Sequence, residues 1–219
     1  MDIPKEKLRN LESFFKYIPY DTRRWYRVYW QNMTPSTNRE RWQRWIFAAA
    51  SIHTGWENNV AQYEALKNIK GEISVKEIAN KIKTGGMQNR KASLIANISD
   101  LTSCWEEPKN RTDWQAWRDY HKDNLWGIGN AKISFAAELI DPLNTNIICI
   151  DRHILDAFGQ DKEKAPKIDD YMEMEDIWLY LSSTIDIPPA ISRFIYWDCH
   201  IQEKPNSRYW SSILENKNE

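Results

Sequence analysis

The chain has 219 residues, of which 42% are hydrophobic and 28% charged, enough apolar material to bury a core and too much for a disordered or low-complexity chain. The formal net charge of −1 excludes a global basic field, so any attraction for nucleic acid must come from a local patch. Cys104, Cys149 and Cys199 lie far apart and form neither a CxxC pair, nor a zinc-ligand set, nor an even disulfide framework.

Taken in order, the chain reads as helix after helix. Residues 5–17 carry Leu8, Leu11, Phe14 or Phe15 and Ile18 near helical spacing, and residues 20–32 are rich in arginine and aromatics. Thr37 and Glu40 have the spacing of a capping box, opening a helix with Trp42, Trp45, Ile46 and Ala49 on one face. Between Thr22 and Trp45 stand six arginines and one acid, Glu40. Arginines interleaved with aromatics suit a phosphate backbone, or else lay their stems over the rings of their own helix face. A helix over 56–68 ends at Gly71. Ser74 and Glu77 form a second capping box, whose helix stops at Gly85 and Gly86. Another helix spans about 89–105. Residues 106–111, with Pro108, make a loop, and Thr112 is expected to cap the next helix with Gln115 in the third position. Helices near 151–158, 170–183 and 189–202 follow, the last opened by Pro188 and Pro189. The tail from Pro205 has the makings of one short helix. There is no β-hairpin signal and no internal repeat. The twelve tryptophans read mainly as bulky helix-packing residues.

The most informative stretch is Leu125-Trp126-Gly127-Ile128-Gly129-Asn130-Ala131-Lys132. Two glycines permit a tight turn and a close approach to a ligand. The helix that follows directs its unpaired N–H groups toward whatever docks there, a geometry that suits phosphate. Nineteen residues after Lys132, Asp151 follows the apolar run Ile147–Ile150. Asp at a helix start serves as an N-cap, and a carboxylate in a cleft serves electrostatic catalysis.

These residues resemble the helix-hairpin-helix (HhH-GPD) DNA glycosylases, the endonuclease III and 8-oxoguanine DNA glycosylase superfamily. The glycine hairpin is similar to that family's Leu-Pro-Gly-Val-Gly-Arg-Lys motif, and Ile150-Asp151-Arg152-His153 to its Val-Asp-Thr-His segment. Ala50–Asn58 looks like its Leu-Ser-Gln-Gln-Thr-Ser-Trp-Lys-Asn, and Gly86–Ala92 like its Gly-Leu-Tyr-Asn-Ser-Lys-Ala. The resemblance covers residues 40 to 200. It implies an all-α fold of two helical lobes, residues 33–141 forming the central lobe and 1–32 with 142–219 the other, with the active site in the cleft between them.

The resemblance further implies a base-excision repair glycosylase that cleaves the N-glycosidic bond of a damaged base, an oxidised purine such as 8-oxoguanine being favoured, with associated lyase activity. Asp151 is then the catalytic carboxylate and Lys132 the nucleophilic amine, whereas counting from the glycines puts the family's lysine slot at Ala131. If Ala131 fills that slot, the enzyme is monofunctional and water attacks. Gly127, Ile128, Gly129, Asn130, His53, Asn89, Arg90, Lys91 and Arg152 are the expected DNA-binding residues. The expected partner is double-stranded DNA bearing a damaged base, bound by a monomer. No metal and no cofactor is expected, since no His/Cys/Asp set has ligand spacing and no nucleotide-binding loop is present. No apolar run is long enough to span a membrane, and the reduced cytosol is the expected compartment. The same fold would also suit a phage-type base-hypermodification enzyme or a catalytically silent DNA-binding module.

Overall fold

The computed structural model describes residues 1–69, 74–82, 87–102 and 105–201. Among them the chain is all-helical: α1 (Lys5–Tyr17), α2 (Tyr20–Met33), α3 (Asn38–Ala50), α4 (Trp56–Leu66), α5 (Val75–Lys81), α6 (Gln88–Thr102), α7 (Arg111–Asn124), α8 (Asn130–Ile140), α9 (Arg152–Ala157), α10 (Ile168–Thr184) and α11 (Pro189–Tyr196), closed by a π-helical turn at Trp197–Ile201. None of these helices is long and apolar enough to cross a membrane. The expected stops at Gly71 and at Gly85 and Gly86, and the expected helix after Pro205, lie outside the described residues.

The centre of the molecule is α3. Its capping box is formed in both directions, Thr37 receiving the Glu40 amide and Glu40 the Thr37 amide. From Trp42 to Ala50 every residue is buried. The small side chains of Ala48, Ala49 and Ala50 let neighbouring backbones come close, and α3 packs against α4, α6 and α8. α5 packs on α6 and α7 on α8, while elsewhere α2 and α10 pack on α11 and α1 on α10. The N-terminal helices thus share their core with the C-terminal ones.

Two boundaries differ from the sequence reading. α7 is capped by Asn110, whose side chain accepts from the Asp113 amide at 3.0 Å, two residues before the expected Thr112. Asn is the better cap, and starting at Arg111 lets that guanidinium reach the Asn146 carbonyl at 2.6 Å and Glu175 at 3.2 Å. The last helix leaves α-geometry at Trp197. The π turn inserts a residue's worth of rotation, putting Trp197 in a cavity wall and Asp198 within 2.5 Å of the Tyr26 hydroxyl, which donates to it.

The arginine-rich segment serves the fold. Arg23, Arg27, Arg39 and Arg44 each donate to a backbone carbonyl, of Ile185, Asp186, Lys67 and Met33 respectively. Arg39 also lies over the Trp42 ring at 4.6 Å and Arg41 over Trp105 at 5.6 Å.

His121 is buried between Trp45 and Trp117, 5.1 Å and 4.0 Å from their ring centres. Burial pushes its imidazole down to about 4, against the opposing bond to the Trp117 carbonyl. Between pH 6.5 and 4 the unfolded chain therefore binds a proton at this site that the folded chain excludes, so this site's contribution to stability is lost as the pH falls through that window. His121→Gln removes the titration. It is expected to flatten the fall of the thermal midpoint from pH 6.5 to 4, by a difference on the order of 3 kcal/mol across the window. Parallel pH profiles for variant and parent would contradict the assignment.

Candidate active site

The loop between α7 and α8 makes the hairpin. Leu125 and Ile128 are buried in the core and anchor it from beneath. Gly127 has a φ of +91°, a conformation L side chains rarely adopt, and a Cβ there would stand 2.7 Å from the Arg90 Nε. That contact exists because Arg90 of α6 donates through Nε to the Gly127 carbonyl at 3.1 Å. Its guanidinium lies 5.4 Å from the centre of the Trp126 ring, which is 70% exposed. Gly129 is the N-cap of α8. It has ordinary extended geometry, no side-chain cap and open space where a Cβ would go. The N-terminus of an 11-residue helix thus opens outward.

Asp151 is held by an unusual run of chain. Residues 147–150 are buried but belong to no helix, and among the described residues there is no strand to receive their amides. Buried amides need partners, and side chains supply them. Glu175 accepts from the Ile148 amide at 2.8 Å, Glu138 from the Cys149 amide at 2.9 Å, and the Tyr171 hydroxyl from the Ile150 amide at 3.2 Å. Each carboxylate is itself paired, Glu175 with Arg118 at 2.7 Å and Glu138 with Arg193 at 2.6 Å. Burial pushes both carboxyls up, against the pull of their arginines. For Arg193, burial opposes the charge, but Glu138 and Asp151 outweigh it and hold the guanidinium protonated.

Where this run ends, Asp151 caps α9. Its Oδ1 accepts from the His153 and Ile154 amides at 2.9 and 3.1 Å, and its Oδ2 lies 3.8 Å from Arg193. The side chain remains 16% exposed, on a cavity of about 90 Å³. Phe47, Trp56, Phe135 and Trp197 form aromatic walls, and Ser51, Thr54 and Asn59 add polar atoms. Lys132 lines the same cavity, with its amine 5.5 Å from the centre of the Phe135 ring, while Ala131 packs against the core. Of the two register positions, 132 is therefore the one that lines the same cavity as Asp151. Cys149 also borders it, but burial pushes the thiol up, which keeps it protonated.

The remaining sequence-predicted residues scatter around this centre. His53 is exposed at the α3–α4 corner with a left-handed φ of 46°. Asn89 is exposed, and Arg152 is exposed and paired with Glu163 at 3.3 Å. Asn130 opens α8, and its Oδ1 is buried without a partner. Lys91, expected on a DNA-facing surface, is only 1% exposed. Its amine donates to the Thr54 hydroxyl and lies 3.4 Å from Gln62 Oε1. Burial, with the nearby Lys132 charge, pushes it down to about 8. Arg193, Glu138, Asn59 and Trp197 belong to the site and escaped the sequence reading. No group of three or more His, Cys, Asp or Glu side chains among the described residues is placed to hold a metal ion.

A larger surface groove of about 740 Å³ beside α1 carries Lys7 and Asp156. These two pair with each other at 3.9 Å at its solvent-exposed rim, and the groove brings no amine and carboxylate together in an enclosed space.

No protein-family model matches the chain, and no curated protein matches it. Solved structures do. An 8-oxoguanine glycosylase/lyase from Methanocaldococcus jannaschii, in complex with 15mer DNA containing 8-oxoguanine, superposes with a TM-score of 0.68 at 17% identity, covering 91% of this chain and 99% of that one. The 8-oxoguanine DNA glycosylase of the same organism superposes with a TM-score of 0.67 at 15% identity, covering 89% and 94%. The chain has the all-helical fold of these glycosylases.

The two hairpin glycines are expected to respond differently to substitution. Gly127→Ala forces a side chain into a left-handed position against Arg90 and should cost about 1–3 kcal/mol. Gly129→Val meets open space and should stay within about 1 kcal/mol of the parent. Thermal or urea melts of both variants check the ordering, and equal losses would contradict it.

Proposed function

We propose that this protein is a DNA glycosylase with associated lyase activity, removing a damaged base, an oxidised purine in preference, from double-stranded DNA. The observation that carries the reading is the meeting of Lys132 and Asp151 on one aromatic-walled cavity beside the glycine hairpin. The fold shared with two 8-oxoguanine glycosylases supports it. DNA binds with phosphate against the uncapped N-terminus of α8, and Arg90 braces that loop. The expected lobes, 33–141 and 1–32 with 142–219, close on the duplex from either side of the cavity. His53, exposed at the corner beside Thr54, fills the gap left in the stack. The target base turns out of the duplex, since its glycosidic bond is inaccessible inside it.

In the chemical step the nitrogen lone pair of the Lys132 amine attacks the sugar C1′. The C1′–N bond breaks and its electron pair leaves with the base, which takes up a proton. Positive charge develops on the sugar as this bond lengthens, and Asp151 stabilises it. Loss of the amine's protons and opening of the ring give an imine. The imine acidifies C2′, and β-elimination then expels the 3′ phosphate and cuts the strand. The alternative in which Asp151 directs a water is disfavoured by the position of Lys132 on the cavity rather than on the surface.

Incubation with a panel of lesion-bearing duplexes tests the activity. Free base and a borohydride-trapped protein–DNA adduct are expected from at least one oxidised purine. Lys132→Gln should abolish trapping and strand cleavage. Asp151→Asn should lower base release by about 10²-fold or more while duplex binding persists. Gly129→Val should weaken binding to all sequences alike, because phosphate contacts position without specifying. Base release without any trapped adduct would leave a monofunctional enzyme. A covalently altered base still in the DNA would point to hypermodification instead.

A further inference from the structure

Among the described residues Trp126 is the one tryptophan that stands exposed; the others are buried or half-buried in the fold. It occupies the slot that holds proline in the motif the hairpin resembles, so the indole is this chain's own addition. Although 70% exposed, it is held firmly. Leu125 before it and Ile128 after it are buried in the core, and between them Gly127 takes its left-handed turn. The Arg90 guanidinium lies over the ring, with its Nε bonded to the Gly127 carbonyl. An indole backed on one face and still largely exposed presents its other face outward. That face stands three residues before the glycine that opens α8.

We propose that Trp126 is a DNA-contact residue, packing its open face on a deoxyribose ring of the strand whose phosphate meets the N-terminus of α8. This rests on the glycosylase reading and adds to it a contact of a different kind. The occupant follows from the neighbours. Arg90 and the positive end of the α8 dipole flank the indole, so the complementary partner is a polyanion. In a duplex the bases beside a bound phosphate are stacked and turned inward. What lies next to that phosphate is its sugar, whose C–H face matches the apolar face of an indole. Such a contact displaces no counterions, so its strength is independent of salt, unlike that of the phosphate contacts. It also carries no base information.

Affinity for a duplex carrying a tetrahydrofuran abasic site, measured over a salt series, tests the contact. Trp126→Ala is expected to bind about tenfold more weakly than the parent at every salt concentration. Its slope of log affinity against log salt and its thermal midpoint should match the parent's, and Trp126→Phe should keep most of the affinity. A second tetrahydrofuran, placed in turn at each neighbouring nucleotide, removes a base but leaves its sugar. The difference between parent and Trp126→Ala should persist in every such duplex. Its disappearance at one position would mean that Trp126 stacks on a base, which overturns the inference. Equal affinity of the two proteins overturns it, as does a changed salt slope, which marks a charge contact, or a parallel fall in thermal midpoint, which marks a structural residue. If the parent releases a damaged base while Trp126→Ala binds as tightly as the parent, the glycosylase reading stands and this inference falls. If the parent binds DNA with the expected tryptophan dependence but releases no base, that reading falls alone. If it binds no duplex, both fall.

Discussion

The arrangement depends on the two buried carboxylates that hold the non-helical run before Asp151. A non-helical segment among helices has no regular backbone partners, and each unsatisfied buried amide costs more than a satisfied one contributes. Glu138 and Glu175 solve this by reaching in from α8 and α10. Their own burial then requires countercharges, which Arg193 and Arg118 provide. Such buried pairs add little net stability over an apolar packing, but losing one partner leaves an uncompensated charge. Their use here is geometric. They fix where residue 151 emerges, and Arg193 stands 3.8 Å from its carboxylate while bonded to Glu138 on its other side.

The same helix links both halves of the site. α8 begins at the hairpin glycine, carries Lys132 into the cavity in its first turn, and at Glu138, nearly two turns later, ties down the segment that delivers Asp151. α3 packs along α8 and brings Phe47 and Ser51 to the cavity. A shift of α8 by one residue would rotate Lys132 by about 100° and put Ala131 at the cavity, with Glu138 turned away from Cys149. The lysine register and the buried ion pair are therefore fixed together.

The helices were legible because their local signals are strong. Two capping boxes, the glycine turn and Pro188-Pro189 mark boundaries by backbone chemistry that needs no tertiary context. Asn110 and the π turn were harder to read: one competed with a plausible cap two residues away, and the other follows from side chains of α2 meeting α11. At the candidate site, Lys132 and Asp151 stood out through their motifs, whereas the register was undecidable without the fold. Arg193 and Glu138 did leave a faint trace, Arg193 as the lone charge of α11 and Glu138 as the one charge in the apolar run Ile133–Ile140 of α8. Two such charges in separate buried helices are candidates for one another. Asn59 left none, because an asparagine in the first turn of a helix is commonplace and only the fold brings it to the cavity. Lys91 was misplaced for a similar reason: a lysine among polar neighbours looks solvated until α4 is seen packed over it.

The central claim, that residue 132 is the amine delivered to the DNA opposite Asp151, is tested most directly by locating the covalent bond. Borohydride-reduced adduct on an 8-oxoguanine duplex, digested and mapped by mass spectrometry, should carry the sugar remnant on Lys132 alone. Attachment at Lys91, the buried amine pushed down to about 8, would contradict the account.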